Sequence, residues 1–258
     1  MKRRQFVSAA ALASAAFGLP STKSMASENP PPAREFYELR EYSLRWNTTE
    51  MDKWLSQALI PALNRAGISG VGVWKEAGHS DPPKLYLLIS YPSMQTYLDT
   101  AGKLKSDTAY QAASQAYNAI PVTNPVFERF STSLMVAFEG FPKLKPPSKT
   151  QRFFEMRRYE SYSDDAATRK IAMFNKEEFP IFDKTGLHSI FFGQVIAGEK
   201  MPCLTYMLGF DNEQERDANW KKFLDDPDWK RITALPEYAN TVSKVVKIYL
   251  EPMPYSQI

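Results

Sequence analysis

Phe36-Tyr37-Glu38-Leu39-Arg40-Glu41-Tyr42-Ser43-Leu44 returns as Phe153-Phe154-Glu155-Met156-Arg157-Arg158-Tyr159-Glu160-Ser161. The register that begins there persists to the end of the chain, so one module is written twice. The offset is 117 at this strand and settles near 119, with Pro61 matching Pro180, Gly67 matching Gly186 and Tyr91 matching Phe210. Between these anchors Ala77-Gly78-x-x-x-Pro82 recurs as Ala197-Gly198-x-x-x-Pro202. Loops absorb the small drift, because they tolerate length changes that strands do not.

Working outward, period and punctuation predict the same element order in each copy. The first copy reads as a strand over 36–44, a helix over 48–65 ending at Gly67, strands over 70–74 and 84–91, helical pieces over 93–104 and 108–119, and a strand over 125–136. The second reads as strand 151–160, helix 164–184, strands 188–196 and 203–210, helices 212–224 and 227–234, and strand 243–251. This β-α-β-β-α-β order is the ferredoxin-like unit. Four strands with helices on one face leave the other sheet face bare. Several hundred Å² of apolar surface left wet would forfeit on the order of 10 kcal/mol, as much as a whole domain's stability. The expected fold is therefore α+β: two tandem ferredoxin-like units whose bare faces meet in a single-chain pseudo-dimeric α+β barrel.

The first 26 residues read as a sorting signal of the twin-arginine type. Lys2-Arg3-Arg4-Gln5-Phe6 precedes an alanine-rich apolar run too short to span a bilayer, and Ser24-Met25-Ala26 offers small residues for cleavage. A periplasmic or secreted location follows, reached after folding. Residues 27–33 form a proline-rich tether, 34–138 the first unit, 139–150 a proline-rich linker and 151–254 the second unit. Without the signal, Lys+Arg falls from 32 to 28 against 29 Asp+Glu. A near-neutral chain with no basic patch gives no reason to expect a nucleic-acid partner, and no apolar run after the signal is long enough to be an integral membrane segment. Cys203, the one cysteine, excludes an internal disulfide and reads as a small core residue.

Tyr37-Glu38-Leu39-Arg40-x-Tyr42, its second-copy counterpart Phe154-Glu155-Met156-Arg157-x-Tyr159, and Asp226-Pro227-Asp228-Trp229 resemble the NIPSNAP family of dimeric α+β barrel domains. The resemblance covers nearly all of residues 34–252 as two copies. The first copy departs from it, with Asp107-Thr108-Ala109-Tyr110 in place of the Trp229 segment. The resemblance implies the fold and little mechanism. Eukaryotic relatives are mitochondrial proteins linked to organelle quality control, and fold relatives include cofactor-free monooxygenases and haem enzymes.

Spacing by two places Glu38, Arg40 and Tyr42 on one face of the first strand and Glu155, Arg157 and Tyr159 on the same face of its repeat. Such a trio either grips a ligand anion or locks the seam between two sheets. Trp74, Tyr91, Phe191 and Phe192 on strands, and Trp229, are further candidates for a ligand wall, with core packing the alternative. Of the two histidines, His79 sits in a polar loop, while His188 at a strand entrance is the candidate acid-base group, or the axial ligand if a haem is bound. No metal-ligand spacing, phosphate loop or nucleophile elbow is present. The expected function is binding of a small hydrophobic or aromatic ligand, or of a protein partner, without a cofactor; homo-oligomers remain open. The alternative is a cofactor-free monooxygenase or isomerase, with His188 or a Tyr-Arg pair handling the proton. A shallow groove of paired groups would favour binding, and an enclosed cavity above roughly 300 Å³ with a perturbed acid or base would favour an enzyme.

Overall fold

The computed structural model describes residues 33–45 and 48–258. The expected signal peptide and all of the tether but Ala33 lie outside the described residues. Eight strands close into one barrel: β1 (Phe36–Leu44), β2 (Gly70–Glu76), β3 (Lys84–Tyr91), β4 (Phe127–Ala137), β5 (Phe153–Glu160), β6 (His188–Ala197), β7 (Cys203–Phe210) and β8 (Lys244–Pro252). Their order around it is β1-β3-β2-β8-β5-β7-β6-β4. Each half therefore contributes a four-stranded antiparallel sheet with its first strand inside. The halves are stitched by β2 to β8 over Trp74–Glu76 and by β4 to β6 over Leu134–Ala137.

Alternation along the strands sorts side chains into two environments. Tyr37, Leu39, Trp74, Tyr86 and Met135 of the first half meet Phe154, Met156, Ile190 and Met207 of the second in a shared core inside the barrel. The opposite faces carry helices. In the first half α1 (Thr49–Lys53), α2 (Ile60–Arg65) and the turn between them cover the sheet through Met51, Leu55, Leu59 and Leu63, with α3 (Met94–Ser106), α4 (Thr108–Ala113) and α5 (Gln115–Asn118) beside them. In the second half α6 (Asp164–Met173), α7 (Phe179–Thr185) and the turn between them do the same through Phe174 and Phe182, followed by α8 (Glu213–Asp225) and α9 (Pro227–Thr233).

The two long helices expected over 48–65 and 164–184 are each interrupted by a π-helical turn, Trp54–Leu59 and Phe174–Glu178. Pro61 and Pro180 account for it. A proline inside a helix has no N–H to donate and its ring presses on the carbonyl four residues back, and widening the preceding turn relieves both. Gly186 (φ 78°) then ends α7 in the left-handed conformation, as Gly67 (φ 89°) does after α2. The repeat extends to the backbone of the β2–β3 and β6–β7 turns, where Pro82 and Pro202 both follow cis peptide bonds.

Candidate functional site

The two Glu-Arg-Tyr trios face the helices, not the barrel interior. This corrects the expectation that they could lock a seam between sheets. The interior positions of β1 and β5 belong to Tyr37, Leu39, Phe154 and Met156, so the alternate residues must point outward beneath the helical layer. Each arginine pairs along its own strand: Arg40 Nε with Glu38 Oε1 at 2.6 Å, and Arg157 Nε with Glu155 Oε1 at 2.7 Å.

Beyond that pair the two halves diverge. Tyr91 Oη of β3 donates to the second oxygen of Glu38 at 2.8 Å, Tyr42 stacks on Phe130 at 4.9 Å, and the Arg40 guanidinium lies 5.9 Å from the Phe130 ring. In the second half Trp220 Nε1 of α8 donates to the second oxygen of fully buried Glu155 at 2.6 Å. The Arg157 guanidinium stacks on the Trp220 ring at 3.4 Å. Arg157 Nη1 reaches Tyr159 Oη at 3.4 Å, and Tyr159 and Tyr206 share a hydrogen bond at 2.9 Å. Burial works against the charge on Arg157, but the oxygens of Tyr206, Tyr159 and Glu155 outweigh it and hold the guanidinium protonated.

A half-open cleft of about 210 Å³ lies over this network. Trp220, Phe182, Phe223 and Trp229 form its apolar wall, and Arg157, Tyr159, Glu178, Arg216 and Lys247 bring polar groups to it. The Asp-Pro-Asp-Trp segment explains how Trp229 arrives there. Asp226 caps α9 by accepting from the Asp228 and Trp229 amides, Pro227 begins the helix, and Lys184 clamps Asp226 at 2.9 Å and Asp228 at 2.6 Å. Trp229 is thereby fixed in the first turn, its ring 4.3 Å from that of Phe223. Arg216 is anchored by Tyr249 Oη at 3.1 Å and Asp217 at 3.0 Å, while its buried Nε has no partner among the described residues.

Glu178, at the end of the π-helical turn, forms a buried ion pair with Lys170 of α6. Eight residues of regular helix would leave the two about 80° apart around the axis, and the extra residue of the widened turn brings them within about 20°. Both are almost inaccessible, at 4% for Lys170 and 2% for Glu178. Burial raises the Glu178 carboxyl above its ordinary range, and the Lys170 ammonium takes back part of that rise. Lys170 Nζ also lies 4.6, 5.6 and 5.7 Å from the rings of Phe174, Trp229 and Tyr159.

Sequence reasoning missed Lys170, Glu178, Trp220, Arg216 and Lys247. The internal repeat carried the signal. Counting from Pro61 and Pro180, Lys170 and Glu178 stand where the first half has Met51 and Leu59, both buried and apolar. Strand register places Tyr206 opposite Arg157 where Leu87 is opposite Arg40, and Lys247 where Thr132 stands. Counting from the helix caps Ser93 and Asn212, Arg216 and Trp220 replace Tyr97 and Ala101. Around one repeated trio, four apolar positions of the first half (Met51, Leu59, Leu87 and Ala101) are polar or aromatic in the second, and Tyr97 and Thr132 give way to the cations Arg216 and Lys247.

The other candidates fall elsewhere. Trp74 lies inside the barrel, folded over Gly72, where an added Cβ would fall 1.9 Å from its ring. It is therefore core, not cleft wall. Phe191 is likewise interior, Phe192 lies beneath the helices, and Cys203 is buried. His188 starts β6 on the surface, its side chain 47% exposed and 3.5 Å from Glu215, away from the cleft. Among the described residues no cluster of His, Cys, Asp or Glu could hold a metal ion, and no helix is long and apolar enough to cross a membrane.

Residues 154–257 match the NIPSNAP family. No curated protein matches the chain. Among solved structures, a protein assigned as a monooxygenase from Lactobacillus acidophilus superposes with a TM-score of 0.54 at 10% identity, over 85% of this chain and 94% of that one. A second protein so assigned, from Fusobacterium nucleatum, gives 0.54 at 11% identity, over 86% and 93%. A NIPSNAP domain protein from Burkholderia xenovorans aligns with 40% of this chain and 95% of its own at 17% identity, with a TM-score of 0.35. At these identities the likeness of the first two is one of fold. Over residues 154–257 the chain is similar to the NIPSNAP family, and its two halves together form an α+β barrel.

Proposed function

We propose that the protein binds a small aromatic carboxylate in the cleft of its second half. The observation that supports this most is the one-sided change around the repeated trio: only the second half carries Arg216, Lys247 and the Trp220-Trp229 wall beside it. Cations at a mouth lined by aromatic faces suit a ligand with a planar ring and an anionic end. A volume of about 210 Å³ suits one ring and a short side chain, since a cavity of roughly 150 Å³ accepts benzene. The size and openness favour binding over the enclosed chamber expected of a larger-substrate enzyme. The raised carboxyl of Glu178 is the feature that favours chemistry.

Calorimetric titration with 3-phenylpropanoate tests the reading. Saturable binding at one site per chain is expected, weakened about tenfold or more by Arg216→Ala and unaffected by Arg40→Ala in the other half. Absence of saturable binding, or equal binding by Arg216→Ala, would sink it. We also propose, on the Arg3-Arg4 leader alone, that the protein is exported to the periplasm by the folded-cargo route.

A further inference from the structure

The cleft holds more than a ligand of this class requires. A ring and a carboxylate are accounted for by Trp220, Trp229, Arg216 and Lys247. That leaves Glu178 and the Arg157-Tyr159 pair lining the same space with no role towards the ligand in the binding reading. The geometry points to a proton-transfer site that enolises a 2-oxo acid bearing an aryl group, with Glu178 as base and Arg157 and Tyr159 as donors to the enolate oxygen. This inference rests on the aromatic-carboxylate reading of the cleft.

In the step, the C3–H bond of the 2-oxo acid breaks and its proton passes to a Glu178 carboxylate oxygen. The electron pair forms the C2–C3 double bond, and the negative charge moves to the C2 oxygen. That oxygen accepts hydrogen bonds from the Arg157 guanidinium and the Tyr159 hydroxyl. Return of the proton to C3 restores the ketone, and its delivery to oxygen gives the enol. No oxidant, reductant or second substrate enters, so atoms and electrons balance within substrate and protein.

Three features fit the base to this work. Glu178 is held in a nearly dry place, where a carboxylate is a stronger base than in water. Its counter-ion does not have to leave when it takes a proton, because Lys170 rests among the faces of Phe174, Trp229 and Tyr159, which hold an ammonium with or without a carboxylate. The oxyanion donors are fixed beforehand: Arg157 is locked by Glu155 at 2.7 Å and by stacking on Trp220 at 3.4 Å, and Tyr159 by Tyr206 at 2.9 Å. The first half repeats Arg40 and Tyr42 but offers Leu59 where the base would stand.

The test is deuterium exchange at C3 of phenylpyruvate in deuterated buffer, followed by proton NMR at saturating ligand, with 3-phenylpropanoate titrated in parallel. Exchange well above the buffer rate is expected, falling about 100-fold or more in Glu178→Gln. If that variant folds poorly, Lys170→Met with Glu178→Leu installs the first half's apolar pair and should be folded and exchange-dead. Saturable binding with exchange at the buffer rate, or exchange that survives in either variant, overturns the proposal and leaves the binding reading intact. Failure of both ligands to bind removes the binding reading as well.

Discussion

Exchanging Lys170 and Glu178 for the residues at their equivalent positions, Met51 and Leu59, measures what the buried pair costs the fold. Removing one partner of a buried pair leaves an uncompensated charge, typically at about 3–5 kcal/mol. For Glu178→Leu the stranded Lys170 ammonium keeps three aromatic faces, so the lower end, about 3 kcal/mol, is expected. For Lys170→Met the stranded carboxyl escapes by protonating. Its folded value is raised above the ordinary range even with Lys170 present, so a loss of about 3 kcal/mol is again expected at neutral pH. The sign follows from linkage: a raised folded value means this contribution is favourable below 4.5 and is lost as pH rises through the folded value. Lys170→Met should therefore recover relative to Glu178→Leu as pH falls from about 7 toward about 4.5, because only the stranded carboxyl titrates away. Each single variant should melt about 6–12 °C below the parent at neutral pH. The double variant keeps side-chain length and fills the site with apolar atoms, as Met51 and Leu59 do, and should equal the parent or exceed it by up to about 4 kcal/mol. Chemical denaturation of the four proteins at two pH values provides the energies. Singles that each cost under about 1 kcal/mol, with a double equal to their sum, would show that the pair is neither dry nor coupled, and the base assigned to Glu178 would go with it.

The remaining predictions concern the duplication, the thiol and the leader. Residues 34–140 expressed alone should aggregate or self-associate, because Tyr37, Leu39, Trp74, Tyr86 and Met135 would lose their second-half partners at about 1.5–3 kcal/mol per side chain; a monomer with a cooperative melt would contradict the shared core. Burial pushes the Cys203 thiol up to about 11, so in native protein at about pH 8.5 it should resist alkylation and react only after denaturation; fast native labelling would place it outside the core. Replacing Arg3 and Arg4 together by lysine should leave folded precursor in the cytoplasm, and undiminished periplasmic protein would refute the twin-arginine reading.

The fold was legible in the chain because its determinants are periodic and local. Alternation in Phe36–Leu44 and its return at Phe153 identify the inner strand of each sheet, and the anchors Pro61, Pro180, Gly67 and Gly186 mark the helices that cover them. Duplication alone implied that two bare sheet faces had to meet. Period two also separated Glu38, Arg40 and Tyr42 from Tyr37 and Leu39 correctly. It could not say which set faced the helices, since a strand in isolation has two equivalent sides. Only the closed barrel decided that: Leu39 and Met156 joined the interior core shared by the two halves, and the trios lie beneath the helices. The site was decided later still. Lys170 and Glu178 are eight residues apart, at a spacing that a regular helix places on different faces, and the π-helical turn before Pro180 brings them together. Trp220 reaches Glu155 across 65 positions, and Lys247 stands beside Arg157 because β8 pairs with β5. Strand and helix identity come from interactions a few residues long, whereas a cleft is the meeting of side chains that share no local pattern and become neighbours when the chain closes on itself.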